Sequence, residues 1–149
     1  MGTNTSEIGS TIEQVRTGKL RARSFPGLGL TFVHVDDVAA GILLALDRGR
    51  LGESYVLGGQ VTTLGEVIDA TATIAGRAAP RMTIPPAIIR ASIPLAPLVT
   101  RAMGLPPNLR ELISASDGVT YWASDAKARG ELGYAPRDLE TGLRQTLGP

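Results

Sequence analysis

Apolar residues recur at helical spacing along several stretches of this chain, and short apolar runs between them end in glycine or proline. From Ser6 to Thr17, Ile8, Ile12 and Val15 share one face, with Ser6 placed to cap the helix and Gly18 to stop it. Arg21 to Phe25 reads as a short strand ended by Pro26 and Gly27, and Leu30 to Val35 as a richer one. Asp36 and Asp37 then open a helix to about Arg48, where either carboxylate can accept the free N–H groups of the first turn. Val38, Ile42, Ala45 and Leu46 form one face, but Leu43 and Leu44 fill another, so this helix is expected to be buried on most sides.

Ser54 to Leu57 is short and β-prone, and Gly58-Gly59 turns the chain after it. Thr63-Leu64-Gly65-Glu66 has the capping-box spacing, and Leu64, Val67, Ile68, Thr71 and Ile74 carry the helical period to a stop at Gly76. Strand, glycine turn and capped helix make an α/β unit. Arg81 to Ile84 is a further short strand. Pro85 to Met103 is strongly apolar, but Arg90, Ser92 and Arg101 interrupt it and Pro94 and Pro97 would break a spanning helix. It reads as two short helical pieces, with a turn at Leu105-Pro106-Pro107. Ser124 is placed to cap a helix ending at Gly133, and Asp138 a last one with Leu139, Leu143 and Leu147 in one stripe.

Composition narrows the class. The 149 residues suit one domain, 1–149, rather than two. A chain this long can bury ~70% of the surface its unfolded form exposes, and 43% apolar residues argue against disorder. Fifteen Lys+Arg against fourteen Asp+Glu give a charge of +1, with no overall pull towards nucleic acid or membrane. Cysteine is absent and histidine occurs once, which excludes disulfides, thiolate metal sites and a histidine-rich metal site within one chain. Met1 to Ser10 lacks the basic and apolar regions of a secretory signal, so the cytoplasm is the default location.

His34-Val35-Asp36-Asp37 is the first place to look for chemistry, because a histidine beside carboxylates can serve as a general base or in a nucleophilic site. A triad also needs a nucleophile oriented by that histidine, and no particular serine presents itself. The plainer reading is that the aspartates cap a helix and His34 bonds to nearby backbone. Gly58-Gly59 invites a dinucleotide reading, yet Gly-x-Gly-x-x-Gly occurs nowhere; Gly27 and Gly29 are followed by Phe32 where the third glycine would fall. Arg16, Lys19, Arg21 and Arg23 form a dense basic cluster that could attract a phosphate group or be a solvated helix end and edge strand. It has no interleaved aromatics, so it suits single-stranded nucleic acid poorly. None of Tyr55, Tyr121 and Tyr134 stands four residues before Lys19 or Lys127, so the Tyr-x-x-x-Lys pair, in which a lysine lowers a tyrosine pKa, is missing.

Three segments carry a resemblance: Thr31-Phe32-Val33-His34-Val35-Asp36-Asp37-Val38-Ala39; Gly52-Glu53-Ser54-Tyr55-Val56-Leu57-Gly58-Gly59; and Ser124-Asp125-Ala126-Lys127-Ala128 with Glu131-Leu132-Gly133-Tyr134-Ala135-Pro136. In this order and spacing the chain resembles the extended short-chain dehydrogenase/reductase superfamily of NAD-dependent epimerases and dehydratases. The closest branch resembles dihydroflavonol reductase-like proteins and hopanoid-associated sugar epimerases. The resemblance covers nearly all of this chain but only the C-terminal part of such an enzyme. It implies an α/β fold, the substrate-binding part of a Rossmann-type enzyme, mostly helical with a few short strands.

The family's glycine-rich cofactor turn, catalytic Ser/Thr and Tyr-x-x-x-Lys lie before this part. Gly2-Thr3-Asn4 looks like what remains of the segment that follows them, with Thr3 where proline is usual. The chain is therefore expected to be a fragment, an isolated domain or the product of a mis-started reading frame. It should hold no cofactor itself, whereas the intact family enzyme uses NAD or NADP. The resemblance further implies that Ile8, Ile12 and the loop bearing Leu30, Phe32 and His34 border a small-molecule substrate. Tyr55 to Leu57 would lie at the edge of the Rossmann sheet, with the helix from Asp36 beside it. Many nucleotide-sugar epimerases of the superfamily have Arg-Asp where this chain has Leu30 and Thr31, which implies a less charged substrate. Expected partners are that substrate and either a second copy or the absent Rossmann domain, with no nucleic acid and no membrane span. A free-standing binding module derived from the family is the alternative, and a hydrolase centred on His34 with Asp36 or Asp37 is a third.

Overall fold

A computed structural model of the chain describes residues 7–85 and 120–148. Its order is α1 (Glu7–Arg16), β1 (Ala22–Arg23), β2 (Gly29–Phe32), α2 (Val35–Arg48), β3 (Gln60–Thr63), α3 (Leu64–Ile74), β4 (Met82–Thr83), β5 (Thr120–Tyr121), α4 (Ala126–Leu132) and α5 (Leu139–Leu147). The fold is α/β, with helices predominating over short strands. The helical pieces and turn read between Pro85 and Pro107, the cap at Ser6 and the Gly2-Thr3-Asn4 remnant lie outside the described residues.

Two small sheets organise the helices. β1 pairs in parallel with β4, Ala22 opposite Met82. In the other sheet β2 lies between β3 and β5, antiparallel to β3 with Thr31 opposite Val61 and parallel to β5 with Leu30 opposite Tyr121. The strand anticipated at Ser54 to Leu57 is not one here. Its backbone has no ladder partner among the described residues, and the strand that follows α2 is Gln60–Thr63 instead. Gly59 makes that crossing possible, since a Cβ there would sit 2.0 Å from the Phe32 carbonyl oxygen. β2 ends at Phe32, earlier than the anticipated Val35, because His34 is already the cap of α2.

Local capping chemistry sets several helix ends. Thr63 accepts the Glu66 N–H at 3.3 Å, and the Glu66 carboxylate accepts the Thr63 N–H at 2.8 Å, completing the capping box. Asp138 caps α5 through the Thr141 N–H at 2.7 Å. α4 begins after Asp125 rather than Ser124, although the Ser124 hydroxyl accepts the Ala126 N–H at 3.4 Å. Gly133 stops α4 at φ 75°, a left-handed conformation that favours glycine. Phe25 adopts φ 50°, uncommon for a bulky residue, in a turn pinned by Leu28 N–H to Phe25 O and Gly65 N–H to Pro26 O.

Six of the buried side chains form two clusters. Val15, Ile68 and Ala72 join α1 to α3, with Leu20, Leu64 and Ala79 around them. Ala128, Leu132 and Tyr134 join α4 to α2, with Leu44, Ala45, Tyr55 and Leu57 packed against them. The Tyr134 hydroxyl donates to the Gly58 carbonyl at 2.8 Å, tying the glycine turn to this second cluster. The outer face of α2 departs from expectation: Leu43 is 67% and Leu46 80% exposed, and Val35 and Ile42 are exposed beside them. Only the inner face, through Asp37, Gly41, Leu44 and Ala45, meets the rest of the described chain.

Candidate functional site

The turn from β2 into α2 is one wall of a cavity. Phe32, Val33 and His34 face Ile12 of α1, while Arg137, Asp138, Leu139, Gly142, Leu143 and Thr146 close it from the start of α5. The space is about 50 Å³, far below the ~300 Å³ of a small-molecule site. The described residues alone leave too little room here for a molecule of that size. Of the side chains anticipated at the substrate, the structure brings Ile12, Phe32 and His34 together here. Ile8 and Leu30 are half-buried and lie outside the lining, Leu30 within the sheet opposite Thr62 and Tyr121. The contribution of α5 was not anticipated, because Leu139 and Leu143 at helical spacing read equally well as core.

The polar end of the cavity is held by charge. Asp37, only 8% exposed, takes three bonds from Arg137: backbone N–H to Oδ2 at 3.1 Å, Nε to Oδ1 at 2.9 Å and Nη2 to Oδ1 at 2.7 Å. Burial pushes the Asp37 carboxyl up, but the Arg137 bonds and charge, with His34 adding to them, outweigh it and leave the pKa below the usual carboxylate value. Arg137 also donates to Gln145 of α5. One guanidinium thus joins the first turn of α2 to α5. Asp37 is not the helix cap expected of it; it is the anchor for Arg137.

His34 does the capping. Its Nδ1 accepts the Asp36 N–H at 3.2 Å and lies 3.5 Å from the Asp36 carboxylate. With Nδ1 used as an acceptor, a neutral His34 carries its proton on Nε2. This arrangement does not suit a hydrolytic triad, in which Nδ1–H donates to the carboxylate. The one hydroxyl in the cavity lining, Thr146, donates to the Gly142 carbonyl at 2.8 Å. Among the described residues no group of three or more His, Cys, Asp or Glu is placed to hold a metal ion, and no helix is long and apolar enough to cross a membrane.

No protein-family model matches the chain. Over 133 residues, 83% of its length, it is 31% identical to a dihydroflavonol 4-reductase-like protein of Synechocystis. It is 36% identical over 85 residues to sterol demethylase protein B of Methylococcus capsulatus. Its fold superposes on the crystal structure of gox2253 with a TM-score of 0.69 and 32% identity over 93% of the chain. The chain belongs to the extended short-chain dehydrogenase/reductase superfamily. It spans 37%, 25% and 41% of the lengths of these three proteins, as a C-terminal part of such Rossmann-type enzymes does. Other short-chain dehydrogenase/reductase structures share the fold at lower identity. One is a UDP-glucuronic acid 4-epimerase of Bacillus cereus bound to NAD, at 19% identity and TM-score 0.64, covering 96% of this chain and 38% of that one. Members of this group bind NAD or NADPH when intact.

Proposed function

We propose that the chain, as a single lobe over 1–149, is the substrate-side part of an NAD(P)-dependent reductase or epimerase, and that its substrate is an uncharged, largely apolar carbonyl or carbinol compound. The observation that carries this is the cavity floor. Ile12, Phe32, Val33, Leu139 and Leu143 offer apolar surface, while the guanidinium beside them, Arg137, is committed to Asp37 rather than free for a phosphate. Leu30 and Thr31, at the positions where nucleotide-sugar epimerases have Arg-Asp, add no cation. A relative named for sterol demethylation agrees with an apolar substrate.

In the intact enzyme the nicotinamide supplies the hydride chemistry. The described residues do not fit that cofactor. Two strand-to-helix turns, β2 to α2 and β3 to α3, have helix N-termini capped by their own side chains, with Asp36, Asp37 and Glu66 in the first turns, and at β5 to α4 the Asp125 carboxylate stands at the cap position. Those carboxylates repel the pyrophosphate that a helix N-terminus would otherwise attract. On this reading Ile12, Phe32 and His34 wall the substrate, with Ile8 and Leu30 at its margin, and the redox step is carried by residues other than those described. A free-standing, non-catalytic module is the second reading, favoured by the same misfit.

The test has two arms. Titration of the isolated chain with NAD and NADP is expected to show no saturable micromolar binding; such binding would overturn the assignment of the redox step elsewhere. An intact enzyme carrying this lobe is expected to show a higher kcat/KM for an uncharged carbonyl than for a nucleotide-diphosphate sugar. A clear preference for the sugar nucleotide, abolished by Arg21→Gln with Arg23→Gln, would refute the substrate class.

A further inference from the structure

We infer that β1, β4 and the C-terminal ends of α1 and α3 form an electropositive face that docks on an anionic lipid surface. β1 and β4 run parallel with Ala22 opposite Met82, and Arg21 and Arg81 immediately precede that facing pair. Arg77, just after α3, reaches across to the end of α1, its Nε donating to the Arg16 carbonyl at 3.2 Å. Two distant stretches of sequence thereby bring together Arg16, Lys19, Arg21, Arg23, Arg77 and Arg81, and among the described residues Glu13 and Asp69 are the carboxylates that pair with them. Both are taken: Glu13 pairs with Arg16 at 2.7 Å, and Asp69 pairs with Arg23. Among the described residues no ion pair joins Lys19, Arg21, Arg77 or Arg81 to an acid, and all four are exposed.

Like charges gathered at the same end of a strand pair oppose the pairing, so folding alone gives no reason to gather them. The overall charge of +1 conceals the polarity: outside this face, nine cations are outnumbered by twelve carboxylates. Three features choose a lipid surface among polyanions. The cations spread over an exposed strand pair and two helix ends, which suits a plane of headgroups. Met82, beside Arg81, is 63% exposed and offers apolar area at that plane. From Ala70 to Pro85 the chain holds two arginines, several apolar residues and no carboxylate, a basic and apolar composition suited to a bilayer interface. No aromatic residue lies in Glu13–Arg23 or Asp69–Pro85, so stacking of nucleic-acid bases has no platform there. This inference is independent of the substrate proposed above.

Co-sedimentation of the purified chain with vesicles tests it. Binding is expected to phosphatidylcholine vesicles containing phosphatidylglycerol and not to pure phosphatidylcholine, with release as salt rises towards about 0.5 M and screening shortens. Arg21→Gln with Arg81→Gln is expected to lower partitioning about 25-fold, and Lys19→Gln alone about fivefold, near one factor of five per charge. All three side chains are exposed, and circular dichroism confirms that the variants fold. Absence of binding, equal binding to both vesicles, or unchanged partitioning of the folded variants would overturn the inference. So would release by millimolar inorganic phosphate at constant ionic strength, which indicates a phosphate site, or stronger binding to a DNA duplex than to the anionic vesicles.

Discussion

Asp37 shows how one side chain can serve the fold and the site together. Its carboxylate is buried, ionised and held by Arg137, a hundred residues later. Breaking such a pair costs about 3 kcal/mol when burial is deep and less when, as here, Arg137 keeps some solvent and has the Asp36 carboxylate 3.9 Å away. Asp37→Asn is therefore expected to lower stability by about 2 kcal/mol at neutral pH. The sign of the pH dependence follows from the depressed pKa. A carboxyl whose folded pKa lies below its unfolded value stabilises above the unfolded pKa and loses that contribution as pH falls through the folded one. Denaturant unfolding should show the gap between native and Asp37→Asn protein closing in acid; a gap independent of pH would mean that the charge is not what matters.

At the scale of elements, α2 is amphipathic in an unexpected sense. Val35, Ala39, Ile42, Leu43 and Leu46 make an outward stripe, and opposite it Asp37, Gly41 and Leu44 face inwards. An exposed apolar stripe of this size favours association. The isolated chain is expected to self-associate or to bind a hydrophobic dye, and Leu43→Glu with Leu46→Glu to abolish both. Sedimentation of the unaltered chain as a dye-silent monomer would count against this.

Such a stripe was legible in the sequence as apolar residues on two faces, but not which face would be covered. Elements fixed by chemistry within four residues were readable: the Thr63–Glu66 box, the Asp138 cap and the Gly133 stop. Features made by distant partners were not. β3 and β5 exist because β2 lies between them, and Asp37 reads as a helix cap until Arg137 is placed beside it. The cavity followed the same rule. Ile12, Phe32 and His34, which line it, were named through the family resemblance, while the α5 wall had no signal beyond a leucine stripe that any core helix would show.

For the molecule as a whole, the division of the buried side chains into two clusters has a dynamic consequence. α1 and α3 close around Val15, Ile68 and Ala72, whereas α2 and α4 close around Ala128, Leu132 and Tyr134. Among the described residues neither cluster shares a buried side chain with the other, so each pair of helices is expected to open to solvent while its neighbour stays shut. Truncating Leu132 to alanine removes about 3 kcal/mol of packing from the second set. In native-state hydrogen exchange the amides of α2 and α4 should then exchange on the order of a hundredfold faster, while those of α3 keep their protection. Equal acceleration in all four helices would show that the chain opens as one unit. If the two sets do open separately, the turn that carries His34 belongs to the α2 unit and Ile12 to the other. The floor of the cavity would then be a seam between two independently breathing halves, able to widen without either half unfolding.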